Sequence, residues 1–349
     1  MKISIIGAGS WGTALAEVLV FNKHEVLIYD VDENTVDEIN NQHTNVTKLP
    51  NAKLSSSIVA TSRLEDVLGF SEIIVLSVPT KVIRAVLKEI NKKLDHPALF
   101  INTSKGLEPG TFKRVSEVVK DEIDSAKQKG FVAITGPSHA EEVILKMPTL
   151  VTSASLERDN ALLVQKLFSN NVFFRVYTIK DLVGAELGGA LKNIYALAAG
   201  MLEGLGYGDN AKAALISRAL VEMKRLAVAN GALEETLTGL TGLGDLVVTT
   251  TSYHSRNFQA GIKLAKGKNL DETISSMTMV VEGVRTALSA YQKAHEENID
   301  VPIIDAVYSV IYEKQSVSKA VESMMMRALK DELSLIHISE PTRRRGISY

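Results

Sequence analysis

Gly7-Ala8-Gly9-Ser10-Trp11-Gly12 is the stretch that decides the fold of this chain. It fits the spacing G-x-G-x-x-G, follows the apolar run Lys2–Ile6, and opens a helical pattern that continues through Thr13-Ala14-Leu15-Ala16. A strand, a glycine turn and a helix in that order make the phosphate-binding corner of a doubly wound sheet. The first glycine makes the tight turn, the second leaves room for a pyrophosphate, and the third lets helix and strand pack closely. The start of the helix then offers unpaired N–H groups and the positive end of its dipole to the anion. A glycine motif alone could be only a tight turn, but its place between a first and a second strand favours a dinucleotide. Gly7, Gly9, Ser10, Trp11 and Gly12 are therefore candidate cofactor-binding residues.

Working outward, the second strand, Glu25–Tyr29, ends at Asp30. A carboxylate there would accept hydrogen bonds from an adenosine ribose and repel a 2′-phosphate, which weakly favours NAD over NADP. The alternative is that Asp30, ahead of Val31 and Asp32, caps the next helix. Further strands are expected at Ile73–Val78, Ala98–Asn102, Phe131–Thr135, Thr149–Thr152 and Val172–Val176, rich in β-branched and aromatic residues. Helical patterns Trp11–Asn22, Lys81–Lys93 and Phe112–Lys127 lie between them. This βαβ rhythm predicts a parallel sheet covered by helices on both faces, a Rossmann-like α/β domain over 1–178. From about Lys180 the texture becomes helical, with candidates Asp181–Glu203, Asp209–Asn230, Arg256–Lys266, Gly283–Glu296, Ile303–Tyr312 and Val317–Leu329. An all-α C-terminal domain is expected over 179–333. The segment 334–349, with Pro341 and Arg343-Arg344-Arg345 and no apolar periodicity, reads as a foreign or disordered tail, with a functional basic tail as the rival.

Composition narrows the function. A chain of 349 residues with 45% hydrophobic content has room for two domains, since single cores stop growing near roughly 250–300 residues. The 39 basic and 41 acidic side chains nearly cancel, so no broad field recruits nucleic acid or an anionic membrane, and phosphate recognition must be local. The apolar opening run is too short for a membrane span. Without cysteine there is no disulfide framework or thiolate nucleophile, which fits the cytoplasm. No H-E-x-x-H or comparable spacing suggests a metal. The oligomeric state stays open, with a homodimer among the possibilities.

Several polar residues fall where the carboxyl ends of strands should be. Ser77 to Thr80 would line the cofactor cleft, and Asn102-Thr103-Ser104-Lys105-Gly106 places a cation beside it. Lys105 could equally be a surface lysine. Gly136-Pro137-Ser138-His139-Ala140 forms a turn opening a helix, where His139 fits a structural hydrogen-bond partner better than a catalytic base. In the helical half, Lys192 sits in the small-residue segment Glu186–Gly200, where desolvation would draw its pKa towards the working range. The alternative is a snorkelling lysine with its ammonium in water.

These strings together, Gly7–Leu15, Ser104-Lys105-Gly106, Gly136–Glu142, Leu191-Lys192-Asn193, Gly239–Asp245, Ser255-Arg256-Asn257 and Val281-Glu282-Gly283-Val284, resemble the NAD(P)-dependent glycerol-3-phosphate dehydrogenase family. They recur in order over about residues 5 to 330. The resemblance implies interconversion of dihydroxyacetone phosphate and sn-glycerol 3-phosphate with NAD or NADP, supplying phospholipid synthesis. It implies Lys192 as catalytic acid/base, and Lys105, Gly136, Ser138, Asp245, Ser255, Arg256 and Asn257 around the substrate. Lys105, Ala140, Arg256, Val280 and Glu282 would also reach the cofactor. Asp245 could instead cap the helix after it, Ser255 could cap a helix before a solvated Arg256, and Glu282 could cap its own helix. The rival families are a β-hydroxyacid dehydrogenase and a ketopantoate-reductase-like enzyme, and the rival class is a non-catalytic dinucleotide-binding protein.

Overall fold

Strands that are apolar along their whole length must be covered on both faces. The computed structural model, which describes residues 1–50, 52–277, 280–329 and 332, shows this directly. Its strands are β1 (Lys2–Ile6), β2 (Glu25–Tyr29), β3 (Ile58–Thr61), β4 (Ile73–Leu76), β5 (Ala98–Asn102), β6 (Gln128–Thr135), β7 (Thr149–Ala154) and β8 (Phe174–Ile179). Successive residues feed opposite cores. Ile73, Val75, Leu99 and Ile101 join one cluster with the helices Ser10–Phe21 and Arg158–Phe168, while Ile74, Leu76, Ala98 and Phe100 join a second under Leu64–Phe70, Thr80–Lys93 and Val115–Glu122.

The sheet order is β3-β2-β1-β4-β5-β6-β7-β8. The chain leaves β1 towards β2 on one side and returns to β4 on the other. Their carboxyl ends therefore frame a crevice where the strand order reverses, the usual ligand position in such sheets. The glycine loop follows β1 and the Ser77–Thr80 turn follows β4.

Three expectations need correction. The sheet is not wholly parallel, because β6 and β7 pair antiparallel. Their connection holds only a four-residue helix, Ala140–Val143, and stays at one edge of the sheet, so the chain turns back instead of crossing over. The last strand begins at Phe174, not Val172, since the Asn170 carboxamide oxygen gathers the N–H groups of Val172, Phe173 and Phe174 into a turn. The expected helix Phe112–Lys127 is shorter, Val115–Glu122, followed by a 3-10 turn at Ser125–Lys127. Phe112 lies at φ 57°, and the Glu117 carboxylate accepts the Arg114 N–H at 2.9 Å, which starts the helix later. Strand β3, a four-residue edge strand after a serine run, was not foreseen.

Beyond β8 every described element is helical, and the helices gather around Leu182–Gly204, buried along nearly its whole length. The helix at Val317 ends at Met325, not Leu329, and the tail 334–349 lies outside the described residues. Among the described residues no helix is long and apolar enough to cross a membrane. Glycine lets the central helix meet Arg256–Ala265 backbone to backbone. A Cβ at Gly200 would overlap the Phe258 carbonyl oxygen, and one at Gly261 the Leu197 carbonyl oxygen.

Alanine normally improves a helix by up to about 1 kcal/mol over glycine. Here the overlap should win: Gly200→Ala and Gly261→Ala are each expected to destabilise the fold by about 1–3 kcal/mol in denaturant unfolding. Unchanged or raised stability in both would mean that this helix contact is not close-packed.

Candidate active site

The site is assembled from four chain segments that meet at the carboxyl edge of the sheet. Lys105 follows β5, Gly136 and Ser138 follow β6, and Lys192 and Asp245 come from the helical half. The Asp245 carboxylate joins the two lysines, accepting from Lys192 Nζ at 2.7 Å through Oδ1 and from Lys105 Nζ at 2.9 Å through Oδ2. Lys105 also donates to the Gly136 carbonyl at 2.6 Å and the Ser138 hydroxyl at 3.1 Å, which fixes it in the crevice and not on the surface. Asp245 does not cap its helix. That place belongs to Gly244, after a π-helical turn at Leu240–Gly244.

Lys192 is only 6% exposed, so the snorkelling reading fails. Its second hydrogen bond, 2.7 Å to Thr249 Oγ1, was not foreseen in the sequence. Thr249 sits one helical turn beyond Asp245 and hands its own proton to the Asp245 carbonyl at 2.6 Å. The i,i+4 spacing of Asp245 and Thr249 was the available signal. An ammonium has three N–H donors. Two are committed here, and among the described residues the third has no partner.

Burial draws the Lys192 pKa down to about 8, with Lys105 and Arg256 adding to the shift and Asp245 opposing it. Burial pushes the Asp245 carboxyl up, but the two lysines together outweigh it and hold Asp245 below the ordinary carboxylate range. His139 is pulled down to about 4 by burial and by Lys192 and Lys105, against the backbone bond to Val248. It is neutral at physiological pH, with Nε2 3.4 Å from the Val248 carbonyl.

Behind the lysines runs a chain of amides. Asn193 Nδ2 donates to the Lys105 carbonyl at 3.0 Å, Asn257 Nδ2 donates to Asn193 Oδ1 at 2.9 Å, and Gly283 N donates to Asn257 Oδ1 at 2.9 Å. Asn193, like Thr249, was not singled out from the sequence, although it follows Lys192 directly. Ser255 caps the helix Arg256–Ala265, accepting from Phe258 N at 3.3 Å. Arg256 is half-buried, and burial pulls its guanidinium below the ordinary value, against Glu141 and Glu282. No described side chain hydrogen-bonds it or pairs with it within 4.0 Å. Glu282 does not cap its own helix; its carboxylate takes the Thr80 N–H at 3.1 Å and hydroxyl at 2.7 Å. Ala140 opens the short helix after Ser138, and Val280 is half-buried just before Glu282.

The glycine loop fits a dinucleotide on features of its own. Gly7 has φ 108°, a region L side chains rarely adopt. A Cβ at Gly12 would overlap the Gly7 carbonyl oxygen, whereas one at Gly9 would meet nothing within 4 Å. The third glycine thus closes the turn and the second keeps open space. Among the described residues no side chain caps the helix Ser10–Phe21 and the buried Trp11 Nε1 has no partner, which suits an anionic or polar ligand. Ser10 Oγ donates to the Lys48 carbonyl at 2.7 Å. Asp30 does not cap the next helix, a role taken by Asp32. Its carboxylate instead accepts from Ala8 N at 2.9 Å and Asp32 N at 3.1 Å, which fixes it at the end of β2. Among the described residues no group of three or more His, Cys, Asp or Glu could hold a metal ion.

Residues 2–161 match the family profile described as the NAD-dependent glycerol-3-phosphate dehydrogenase N-terminus, and residues 181–322 match that of the C-terminus. The chain is 49% identical over 331 residues to the glycerol-3-phosphate dehydrogenase (NAD(P)+) of Staphylococcus aureus (strain USA300 / TCH1516), covering 95% of this chain and 99% of that one. Identity to the same-named protein of Listeria monocytogenes serotype 4b (strain CLIP80459) is 48%, covering 95% and 98%. The crystal structure of the glycerol-3-phosphate dehydrogenase of Coxiella burnetii shares the fold at a TM-score of 0.88 and 35% identity, covering 93% of this chain and 99% of that one.

The charges around Lys192 predict opposite shifts in its titration. Asp245→Asn removes the group that raises it, so its midpoint should fall below about 8; Lys105→Met removes a group that lowers it, so the midpoint should rise. Following the ammonium by 15N NMR checks both signs, and a common midpoint in the two variants would contradict the arrangement.

Proposed function

Because the chain belongs to the NAD-dependent glycerol-3-phosphate dehydrogenase family, we propose that it interconverts dihydroxyacetone phosphate and sn-glycerol 3-phosphate, with Lys192 as the proton donor and acceptor. The observation that carries the role of Lys192 is its buried ammonium, with two N–H groups held by Asp245 and Thr249 and the third uncommitted. The bound nicotinamide supplies or takes the hydride at the carbon. What remains for the protein is the oxygen, on which charge develops during reduction.

Lys192 donates its third N–H to that oxygen and transfers the proton as the ketone becomes an alcohol. In the oxidative direction its neutral form takes the proton back. A pKa near 8 suits both roles, with protonated lysine in the majority at neutral pH and the neutral base prevailing above it. Asp245 keeps the ammonium oriented. Lys105 and Ser138, held together at the Gly136 turn, would position the substrate. Arg256, with no partner among the described residues, and Ser255 and Asn257 at the helix start would take the phosphate, where a planar guanidinium and backbone N–H groups suit a dianion.

Gly7, Gly9, Ser10, Trp11 and Gly12 would hold the pyrophosphate, with Ala140, Val280 and Glu282 completing the cofactor side and Lys105 and Arg256 bordering both ligands. Asp30 would favour NADH by repelling a 2′-phosphate. In this reading residues 1–178 bind the cofactor and 179–333 the substrate. The near-balanced charge and lack of cysteine fit a cytoplasmic enzyme without nucleic-acid partners; supply of phospholipid synthesis comes from the family resemblance alone, and a homodimer is one possible assembly.

Steady-state reduction of dihydroxyacetone phosphate with NADH and with NADPH tests the activity; turnover with neither would overturn it. Lys192→Ala should keep NADH affinity while losing at least about 10²-fold in kcat, and an unaltered rate would remove the proposed donor. Arg256→Ala should raise the KM for the ketone far more than that for the cofactor. Equal effects on both would misplace the phosphate.

A further inference from the structure

Two carboxylates cross from the helical half to the sheet half with the same geometry. Glu282 takes both the N–H and the hydroxyl of Thr80, the first residue of the helix Thr80–Lys93. Glu186 takes both the N–H, at 2.9 Å, and the hydroxyl of Ser116, the second residue of the helix Val115–Glu122. In each pair one carboxylate oxygen satisfies an orphan N–H of a helix start and the other accepts the hydroxyl of the same residue. Glu282 already has a place in the reading above, but Glu186 has none.

Glu186 is expensive where it stands. It is 6% exposed, and burial pushes its carboxyl up to about 7, against the Ser116 bonds and Arg114, with Glu117 adding to the rise. Arg114 approaches only to 3.6 Å. An apolar side chain of similar volume would avoid that desolvation unless the carboxylate fixes a geometry. What it can fix is the helix Leu182–Gly204, which also carries Lys192. That helix lies directly over Lys105 and β6: a Cβ at Gly189 would stand 3.8 Å from Lys105 Cγ and 3.5 Å from Thr135 Cγ2, and Asn193 reaches the Lys105 carbonyl. A slip or tilt of the helix therefore changes the spacing of the two lysines.

We propose that Glu186, through Ser116, is a positioning residue that sets the register of the central helix on the sheet and so places Lys192 against Lys105. The proposal rests on the reading of Lys192 as proton donor. Glu186 touches neither substrate nor cofactor and acts only through the helix it anchors. Without the anchor, the first turns of the helix lose their polar tie to the sheet half, leaving Asn193 and the Asp245 cluster to hold it, and Lys105 draws away from Lys192, so the lysine loses part of its aim and of its depressed pKa.

The test is steady-state kinetics and NADH binding on the full chain with Glu186→Ala, Glu186→Gln, Ser116→Ala and Lys192→Ala. Glu186→Ala should lower kcat by about tenfold or more, as sub-ångström to ångström misplacement does, with NADH affinity within about twofold of the parent. The pH limb of glycerol 3-phosphate oxidation should move upward, because Lys105 then lowers the Lys192 pKa less. Glu186→Gln, which keeps a carbonyl acceptor and the volume, should recover most of the rate. A Glu186→Ala enzyme with a reduced melting temperature but an unmoved kcat and pH limb would overturn the proposal. If that variant does not fold, Ser116→Ala takes its place, with a smaller fall in kcat and an upward limb expected and no change in either overturning the proposal. Lys192→Ala separates the two failures: an unaltered rate there overturns the proton-donor reading, whereas an impaired Lys192→Ala enzyme beside a normal Glu186→Ala enzyme overturns only the positioning.

Discussion

One carboxylate shared between a buried lysine and a half-buried one organises the molecule. Taking a charged ammonium out of water costs several kcal/mol, and only a close opposite charge with good geometry offsets it. Asp245, 1% exposed, supplies that charge to Lys192 on the helical side and Lys105 on the sheet side. Two cations on one carboxylate leave the cluster short of negative charge. A phosphorylated substrate would correct the deficit, so the imbalance that burdens the fold favours binding of an anion in the proposed reading.

The rest of the architecture serves that meeting point. The reversal of strand order between β1 and β4 opens the crevice, and the early turn-back between β6 and β7 brings Gly136 and Ser138 to the same edge. The central helix reaches the site because glycines at its contacts let backbones approach where larger residues would hold them apart. Its near-complete burial supplies the desolvation that lowers the Lys192 pKa. Stability and chemistry thus draw on the same packed helix, and the buried Glu186 and Lys192 are the two places where that helix gives up apolar packing for charge.

Much of this was legible in the residues, for identifiable reasons. A glycine motif between a strand and a helix has one good structural solution, and long apolar runs mark doubly covered strands, so β1, β2 and β5 were placed to the residue. The cluster of Lys105, Lys192 and Asp245 was legible only through family resemblance, since nothing in spacing says that residues 140 and 53 positions from Asp245 share its carboxylate. Strand β3 was hidden because a four-residue edge strand has too little apolar signal. The antiparallel pairing was hidden because strand direction depends on where a connection runs, not on composition. Thr249, Ser116 and Glu186 were missed for a common reason: each acts through a partner on another segment or another turn, and that pairing exists only once the chain has folded. The alternative of a helix-capping Asp30 failed by two residues, because Asp32 sits at the true helix start.

Proton transfer by Lys192 depends on where its third N–H points. A crystal structure of the complex with NAD and glycerol 3-phosphate tests this most directly. The expected result is Lys192 Nζ within about 2.7–3.2 Å of the substrate's secondary oxygen, with its bonds to Asp245 and Thr249 kept and the phosphate on Arg256. A complex in which that oxygen is held by another group, with Lys192 still sealed behind Asp245, would contradict it.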